Sequence, residues 1–382
     1  MKKNVLLLTD ADTRTSSIEH HQIKWLTSDY SLDVVSPGVD INCKDEINYY
    51  HYHEGNFIYK NIRKILLILR LYKFYFMNRN LQSLLNKIKN NKYDLIIVHH
   101  LRLLPVVSFL SKGSKIIFYA HEYYLGYNQD LFIWRILIKD YWQWISNNYL
   151  NDSNIIITVN KSIADLYKKD FGGDVLYLHN LVPYKDLRPK TVNPEKIRII
   201  HHGLAGISRK IELMIESMEF LDERFELDLV LVSYSYIGKL YIKKLKKLAS
   251  QNNRINFPEP VPFDSIEKFG NQYDIGLFFM PPSNKNEELS LGHKFFQYIQ
   301  SRLALAISPL PEMKNIVEKY NIGIVANNFK PESIAEKLNN LTSNDIYKLK
   351  LKSHEYANKY DIRYNEKLFI SCVNNLLKND GN

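Results

Sequence analysis

The chain has 382 residues, 45% apolar and 24% charged, with a net charge of +10. That length suits about two domains, and the composition is that of ordinary globular protein, which excludes a disordered or fibrous chain. Two cysteines, Cys43 and Cys372, cannot build a disulfide framework, and no Cys/His spacing resembles a zinc site. A reducing compartment is therefore expected, and a structural metal is not. The apolar run at residues 5–8 is too short for a signal peptide, and no run approaches the roughly 20 apolar residues of a spanning helix. The expectation is a soluble, cytoplasmic protein.

In the first half, short β-branched runs predict strands at 4–9, 31–36, 93–99, 115–120, 154–159 and 175–179. Helical spacing predicts helices at 16–28, 104–111, 131–150 and 162–171. Strands alternating with helices imply a parallel sheet wrapped on both faces. Between Glu54 and Asp94 there is no acidic residue, while Lys60, Arg63, Lys64, Arg70, Lys73, Arg79, Lys87, Lys89 and Lys92 are basic. Phe57, Tyr59, Tyr72, Phe74, Tyr75 and Phe76 are interleaved among them. This pattern fits a helix lying on an anionic bilayer, and equally a core-packing helix with a solvated basic face. No nucleic-acid motif accompanies it, so nucleic acid is not an expected partner.

Residues 184–198 hold two prolines and several charges without apolar periodicity, as a linker does. The alternation then restarts, with strands at 197–202, 227–233, 255–258, 273–279, 303–308 and 322–326. Helices are predicted at 209–220, 237–250, 263–269, 293–301, 311–319 and 331–341, and a helical segment kinked near Asp361 ends the chain. The resulting division is a first domain at 1–185, a linker at 186–196, a second domain at 197–350 and a helical segment at 351–382. In such α/β halves, ligands bind beyond the C-terminal ends of the strands.

Residues 199–210 read Ile-Ile-His-His-Gly-Leu-Ala-Gly-Ile-Ser-Arg-Lys, a strand entering a glycine turn. Gly203 and Gly206 would let a ligand approach the backbone, Ser208 would cap the next helix, and Arg209 and Lys210 would neutralise a diphosphate. The bland alternative is an ordinary turn with a solvated basic pair. Further on, Ser290 and Gly292 precede a helix carrying Lys294 in its first turn and Gln297 three residues later, on the same face. These two suit a phosphate and a sugar hydroxyl, or else are incidental polar residues of a surface helix. His121 ends a predicted strand, as a site residue or a satisfied core histidine. His99 and His100 end another, and Trp134, Trp142 and Trp144 read as core packing.

Taken in order, these stretches resemble the GT-B glycosyltransferases, most closely the glycosyltransferase family 4-like (group 1) proteins. The likeness is carried by His202-Gly203 through Arg209, by Tyr273-Asp274-Ile275-Gly276-Leu277, and by Leu291-Gly292-His293-Lys294-Phe295-Phe296-Gln297-Tyr298. In the first half it is carried by Tyr119-Ala120-His121-Glu122 and by residues 156–161 followed by Asn180. The resemblance implies an α/β fold of two Rossmann-like domains, their parallel sheets facing across a cleft, with the C-terminal helix crossing back to the first domain. It implies that Arg209 contacts the donor diphosphate beside Gly203, that Lys294 matches the family lysine, and that Gln297 replaces the glutamate on the donor ribose. His121 would face the transferred sugar with Glu122 beside it, and Asp12 and Arg14 would lie on the acceptor-side loop. The chain departs from the family at Leu289 and Gln297, where an acidic pair is usual, with Glu288 one residue out of place. It departs again at Lys210, where the family has glycine, and at His293, where it has asparagine.

The implied activity is sugar transfer from a UDP- or GDP-linked donor to a glycan or lipid-linked acceptor in surface polysaccharide synthesis, such as capsule or lipopolysaccharide. It would retain anomeric configuration and use neither metal nor cofactor. The basic-aromatic segment adds peripheral contact with the inner face of the membrane. A non-catalytic GT-B binding protein and a nucleotide-sugar epimerase are the alternatives.

Overall fold

The computed structural model describes residues 2–14, 16–38, 47–52, 57–75, 79–110, 113–126 and 134–378. Cys43 and Phe76, and the side chains of Phe57, Tyr59, Lys60, Arg79 and Trp134, lie outside what it describes. The chain forms two compact units. One comprises Met1–His179 with Asn365–Asn382, and the other Asn180–Tyr364.

Unit 1 is a seven-stranded, all-parallel sheet: β1 Asn4–Leu8, β2 Ser31–Ser36, β3 Ile47–His51, β4 Leu95–His99, β5 Lys115–Ala120, β6 Ile155–Thr158 and β7 Val175–Tyr177. The spatial order is β3-β2-β1-β4-β5-β6-β7, so the winding reverses between β1 and β4. Helices cover both faces, which is why β4 is buried along its whole length and reads as an unbroken apolar run. Leu8 pairs with Val98 and His99 with Tyr119. That register brings the residues just past β1, β4 and β5 together at the switch point, where such sheets bind ligands. Strand β3 is missing from the sequence expectation for a physical reason. It is an edge strand without a fully buried residue, so it carries no apolar alternation.

The helix Ile362–Lys378 returns to unit 1. Phe369 is fully buried with its ring 5.7 Å from that of Trp25, Tyr30 donates to Asn374 at 2.6 Å, and Lys3 donates to the Leu377 carbonyl. Burying side chains of this size contributes about 1.5–3 kcal/mol each, ample to seat the helix.

Unit 2 repeats the design with six parallel strands: β8 Ile197–Leu204, β9 Phe225–Val232, β10 Ile255–Asn256, β11 Ile275–Phe278, β12 Ala304–Ile307 and β13 Gly323–Val325. Their order is β10-β9-β8-β11-β12-β13, with the reversal between β8 and β11. The boundary falls at His179/Asn180 instead of within 186–196, because the proline-bearing stretch is bound into unit 2. Buried Arg302 donates to the carbonyls of Lys185 and Leu187, and the Lys185 amide donates to Gln300. Unit 2 also runs to Tyr364 instead of ending at residue 350. The helix Ser343–Lys359 packs Tyr356 and Ala357 into its core, so the terminal helical segment is split between the two units. No helix among the described residues is long and apolar enough to cross a membrane.

Candidate active site

In unit 2 the C-terminal end of β8 opens onto a cavity of about 630 Å³. Its walls include His202, Gly203, Arg209, Glu287, Lys294 and Gln297, with Gly292, His293 and Ser290 at one side. Gly203 has φ +128°, a conformation that side chains resist, and a Cβ there would stand 3.0 Å from Lys294 Cε and Nζ. The glycine is required both for the backbone turn and for the close approach of the lysine.

The helix expected at 209–220 is shorter and starts later. Residues Ile207–Arg209 make a 3₁₀ turn, Lys210 takes a left-handed conformation at φ 48°, and the helix spans only Glu212–Ser217. Ser208 therefore caps nothing, and the first-turn charge is Glu212, which accepts from Tyr241 and pairs with Lys244. The reason is steric: the left-handed residue after Arg209 ends one turn and delays the next. Arg209 reaches the cavity, whereas Gly206, Ser208 and Lys210 are not among its lining residues.

Opposite, Gly292 begins the helix His293–Gln300, and Lys294 and Gln297 face the cavity as their spacing predicts. Lys294 is buried, with Nζ 3.3 Å from His201 Nε2. Burial, followed by repulsion from Arg209, holds its pKa well below the lysine range. His202 is pushed down to about 3 by burial and then by Lys294. The Gln297 amide nitrogen is buried without a close hydrogen bond and interacts with the Glu267 carboxyl. Nearby, burial raises the pKa of the Glu267 carboxyl, while Lys185 and Gln297 draw it back. Glu287, not Glu288, lines the cavity and accepts from Ser283, while Glu288 pairs with Lys285 and Leu289 is buried. Neither Arg209 nor Lys294 has a carboxylate within ion-pair distance among the described residues. Two basic side chains without a paired carboxylate, with an amide beside them, suit an anion carrying hydroxyl groups.

At the unit 1 switch point the chemistry differs. Glu19 is fully buried on the first turn of the helix Ser17–Thr27 and accepts from Thr9 at 3.1 Å and from Ser16. Its carboxylate stands 3.6 Å from both His99 Nδ1 and His121 Nε2, which are 3.0 Å apart. With Gln22 Oε1 accepting from His99 Nε2 at 2.9 Å, neutral His99 offers its Nδ1 lone pair to the Nε2–H of His121. Burial alone would raise the Glu19 pKa, but attraction to His99 and His121 once acid charges them, together with the Ser16 hydrogen bond, brings it to about 2. His100 stacks on His121 with centroids 4.6 Å apart, and it contacts Asp10 at 3.1 Å and Tyr124 at 3.0 Å. Its φ of 71° is a conformation non-glycine residues hold only under constraint. Asp10 also binds Arg102. Glu19, His100 and His121 bring ligand-type atoms within 4.8 Å of one another, although each already has a hydrogen-bond partner.

Glu122, next in sequence, has its pKa raised to about 7 by burial. Asp12 and Arg14 pair with each other across a two-residue turn, and the Asp12 carboxylate lies over Gly38. The structure thus brings His121 together with His99 and His100. It adds Glu19, Asp10 and Tyr124, which the sequence pattern does not single out. Ser16 and Glu19 have the S-x-x-E spacing of a capping box, which is the available signal. In unit 2 the residues added by the structure are His201 and Glu287.

Two doubly wound units, the second with a cation-lined cavity at its strand ends, define a GT-B architecture. Residues 21–186 match the model of Glycosyltransferase Family 4. Sucrose-phosphate synthase from Thermosynechococcus elongatus aligns with a TM-score of 0.72 at 10% identity, over 99% of this chain and all (100%) of the other. Anabaena HepE, in complex with UDP, aligns at 0.71 and 12% identity, over 97% of this chain and 100% of its own. WaaG, a glycosyltransferase involved in lipopolysaccharide biosynthesis, aligns at 0.62 and 10% identity, over 94% and 96%. No curated protein sequence matches the chain significantly. The chain therefore has the GT-B fold of these solved proteins, and its residues 21–186 are similar to Glycosyltransferase Family 4.

Proposed function

We propose that the chain transfers a sugar from a nucleoside-diphosphate donor to a glycan or lipid-linked acceptor in surface polysaccharide synthesis, with retention of configuration. The observation that carries this reading is the unit 2 cavity, where Arg209 and Lys294 stand without acidic partners beside Gln297. As the bond to the diphosphate breaks, negative charge grows on the leaving oxygens, and fixed cations stabilise it without a metal ion. Gln297 bonds a ribose hydroxyl as a neutral group. His121 and Glu122 act on the sugar, and Asp12 and Arg14 on the acceptor, as in the resemblance. HepE, bound to UDP, supports UDP as the first nucleotide to try.

Mass spectrometry of a lipid-linked acceptor mixture, incubated with UDP- and GDP-sugars, tests the reading. A mass gain of one sugar, dependent on acceptor, is the expected result. Conversion of the nucleotide sugar without acceptor would instead indicate an epimerase. Calorimetric UDP or GDP binding with no turnover on any acceptor would indicate the non-catalytic protein that Leu289 and Gln297 leave open.

Membrane contact is the second part of the proposal. On the helix Phe57–Ile68, the turn after it and the short helix Tyr72–Tyr75, Ile62, Ile65, Ile68, Leu69 and Phe74 are exposed among Lys64, Lys73 and Arg70, the last paired with Asp140. Leu67 on the opposite face is buried, so the segment packs on unit 1 and still presents apolar surface. Apolar side chains flanked by cations favour an anionic bilayer. Flotation with vesicles containing anionic lipid should carry the protein upward at low salt, with a weaker effect as salt screens the attraction. Absence of flotation at low salt would discard membrane contact and leave the transferase reading intact.

A further inference from the structure

Lys294 and Lys350 are both buried lysines of unit 2, and their surroundings differ in one respect. Lys350 donates to Asp274 at 2.9 Å and to the Tyr273 carbonyl at 3.1 Å, so its charge is matched. Lys294 meets an imidazole instead. His201 is fully buried on β8, and its Nδ1 lies 2.9 Å from the Leu277 carbonyl. A carbonyl only accepts, so Nδ1 carries the proton and Nε2 presents a lone pair to the lysine, 3.3 Å away.

Among the described residues no carboxylate is within ion-pair distance of Lys294. The groups facing it from its own helix are His293 and Gln297. From β8 come His202 and the Gly203 backbone, and from the 3₁₀ turn comes Arg209, a fixed cation. From β11 comes Phe278, its ring centroid 5.5 Å from Nζ. Two carboxylates lie nearby and are bonded elsewhere: Glu287 lines the cavity and accepts from Ser283, and Glu267 interacts with Gln297 and pairs with Lys185 at 3.6 Å.

We infer that Lys294 stands as a neutral amine on His201 in the empty protein and becomes an ammonium when a nucleoside diphosphate enters, so that donor binding takes up one proton from solvent. The inference rests on reading the cavity as the diphosphate site. A buried amine beside an arginine is disfavoured in its charged form, and the shift of Lys294 below the lysine range agrees. A diphosphate reverses the balance by placing two or more negative charges against it. The step is a single protonation, with no other bond made or broken. His201 is a positioning residue: it aims the amine at the cavity and compensates none of its charge.

Titration calorimetry of the full chain with UDP, repeated with GDP, in two buffers of different ionisation enthalpy counts the protons. At about pH 8 the terminal phosphate, with a pKa near 6, is already ionised and contributes little. Uptake approaching one proton per nucleotide is expected, with affinity falling by up to about tenfold per pH unit. Lys294→Met should bring the uptake near zero. His201→Glu gives the lysine a permanent counter-charge and should also abolish uptake while UDP still binds. Tight UDP binding with no uptake in the wild type overturns the inference and leaves the cavity reading standing. Uptake persisting in Lys294→Met overturns it by assigning the proton elsewhere. Failure of both UDP and GDP to bind overturns the cavity reading itself.

Discussion

The same winding, used twice, yields two opposite polar environments at the strand ends. In unit 2, Arg209 and Lys294 reach a cavity with no carboxylate paired to either among the described residues. In unit 1, the buried Glu19 carboxylate is enclosed by two hydroxyls and two imidazoles, and its partners are bonded in turn. Unmatched buried groups await a ligand, whereas a matched network sets the protonation of its own members. The first environment is therefore expected to respond to nucleotide, and the second to pH.

The largest expected effect separates two adjacent residues in unit 2. Arg209→Ala removes a preorganised cation from the leaving phosphate, which should lower turnover by on the order of 100–1000-fold. Lys210, turned away by its left-handed backbone, is not on the cavity wall, so Lys210→Ala should change turnover less than about threefold. Steady-state kinetics with the same nucleotide sugar decide it. Equal losses in the two variants would mean that the 3₁₀ turn rearranges around the donor.

Next in size is the carboxylate of unit 1. The Glu19 pKa is lowered from the ordinary glutamate value to about 2, so its charge stabilises the fold above the unfolded pKa. That contribution is lost as pH falls from about 4.5 towards 2. Glu19→Gln should lose on the order of 1–3 kcal/mol at pH 7, the range for hydrogen bonds to a buried charge. The gap to wild type should close with acidification, as followed by denaturant midpoints. A gap that does not narrow by pH 3 would mean that packing, not charge, accounts for the loss.

This comparison also explains what the sequence can and cannot disclose. The doubly wound halves are legible because buried parallel strands such as β4 read as unbroken apolar runs. Lys294 and Gln297 are legible because helical spacing puts them on one face. The helix start near Ser208 is not, since nothing local marks Lys210 as left-handed. Its neighbours would cap a helix equally well. The Glu19 network is hidden because its members lie on four separate elements, the end of β1, the helix Ser17–Thr27, β4 and the end of β5, which only the fold unites. The linker is hard to place because polar, aperiodic sequence looks the same whether solvated or, as in this chain, bonded to a buried arginine far along the sequence.

The smallest expected effect tests whether pH sensitivity in unit 1 extends beyond Glu19. Glu122 is the reverse case: burial raises its pKa to about 7. A carboxyl raised on folding favours its protonated form, so its contribution is present below the unfolded value and is lost as pH climbs through 7. Wild type should therefore weaken between pH 5 and pH 8 relative to Glu122→Gln, by on the order of 1 kcal/mol given partial solvent access. Thermal denaturation of both proteins at the two pH values would show it as a difference that opens with pH. In the pH–rate profile, an ionisation near 7 should vanish in the variant if Glu122 exchanges a proton with substrate. Stability curves that stay parallel would place Glu122 outside the titrating network, leaving Glu19 and its histidines as the pH-responsive element of unit 1.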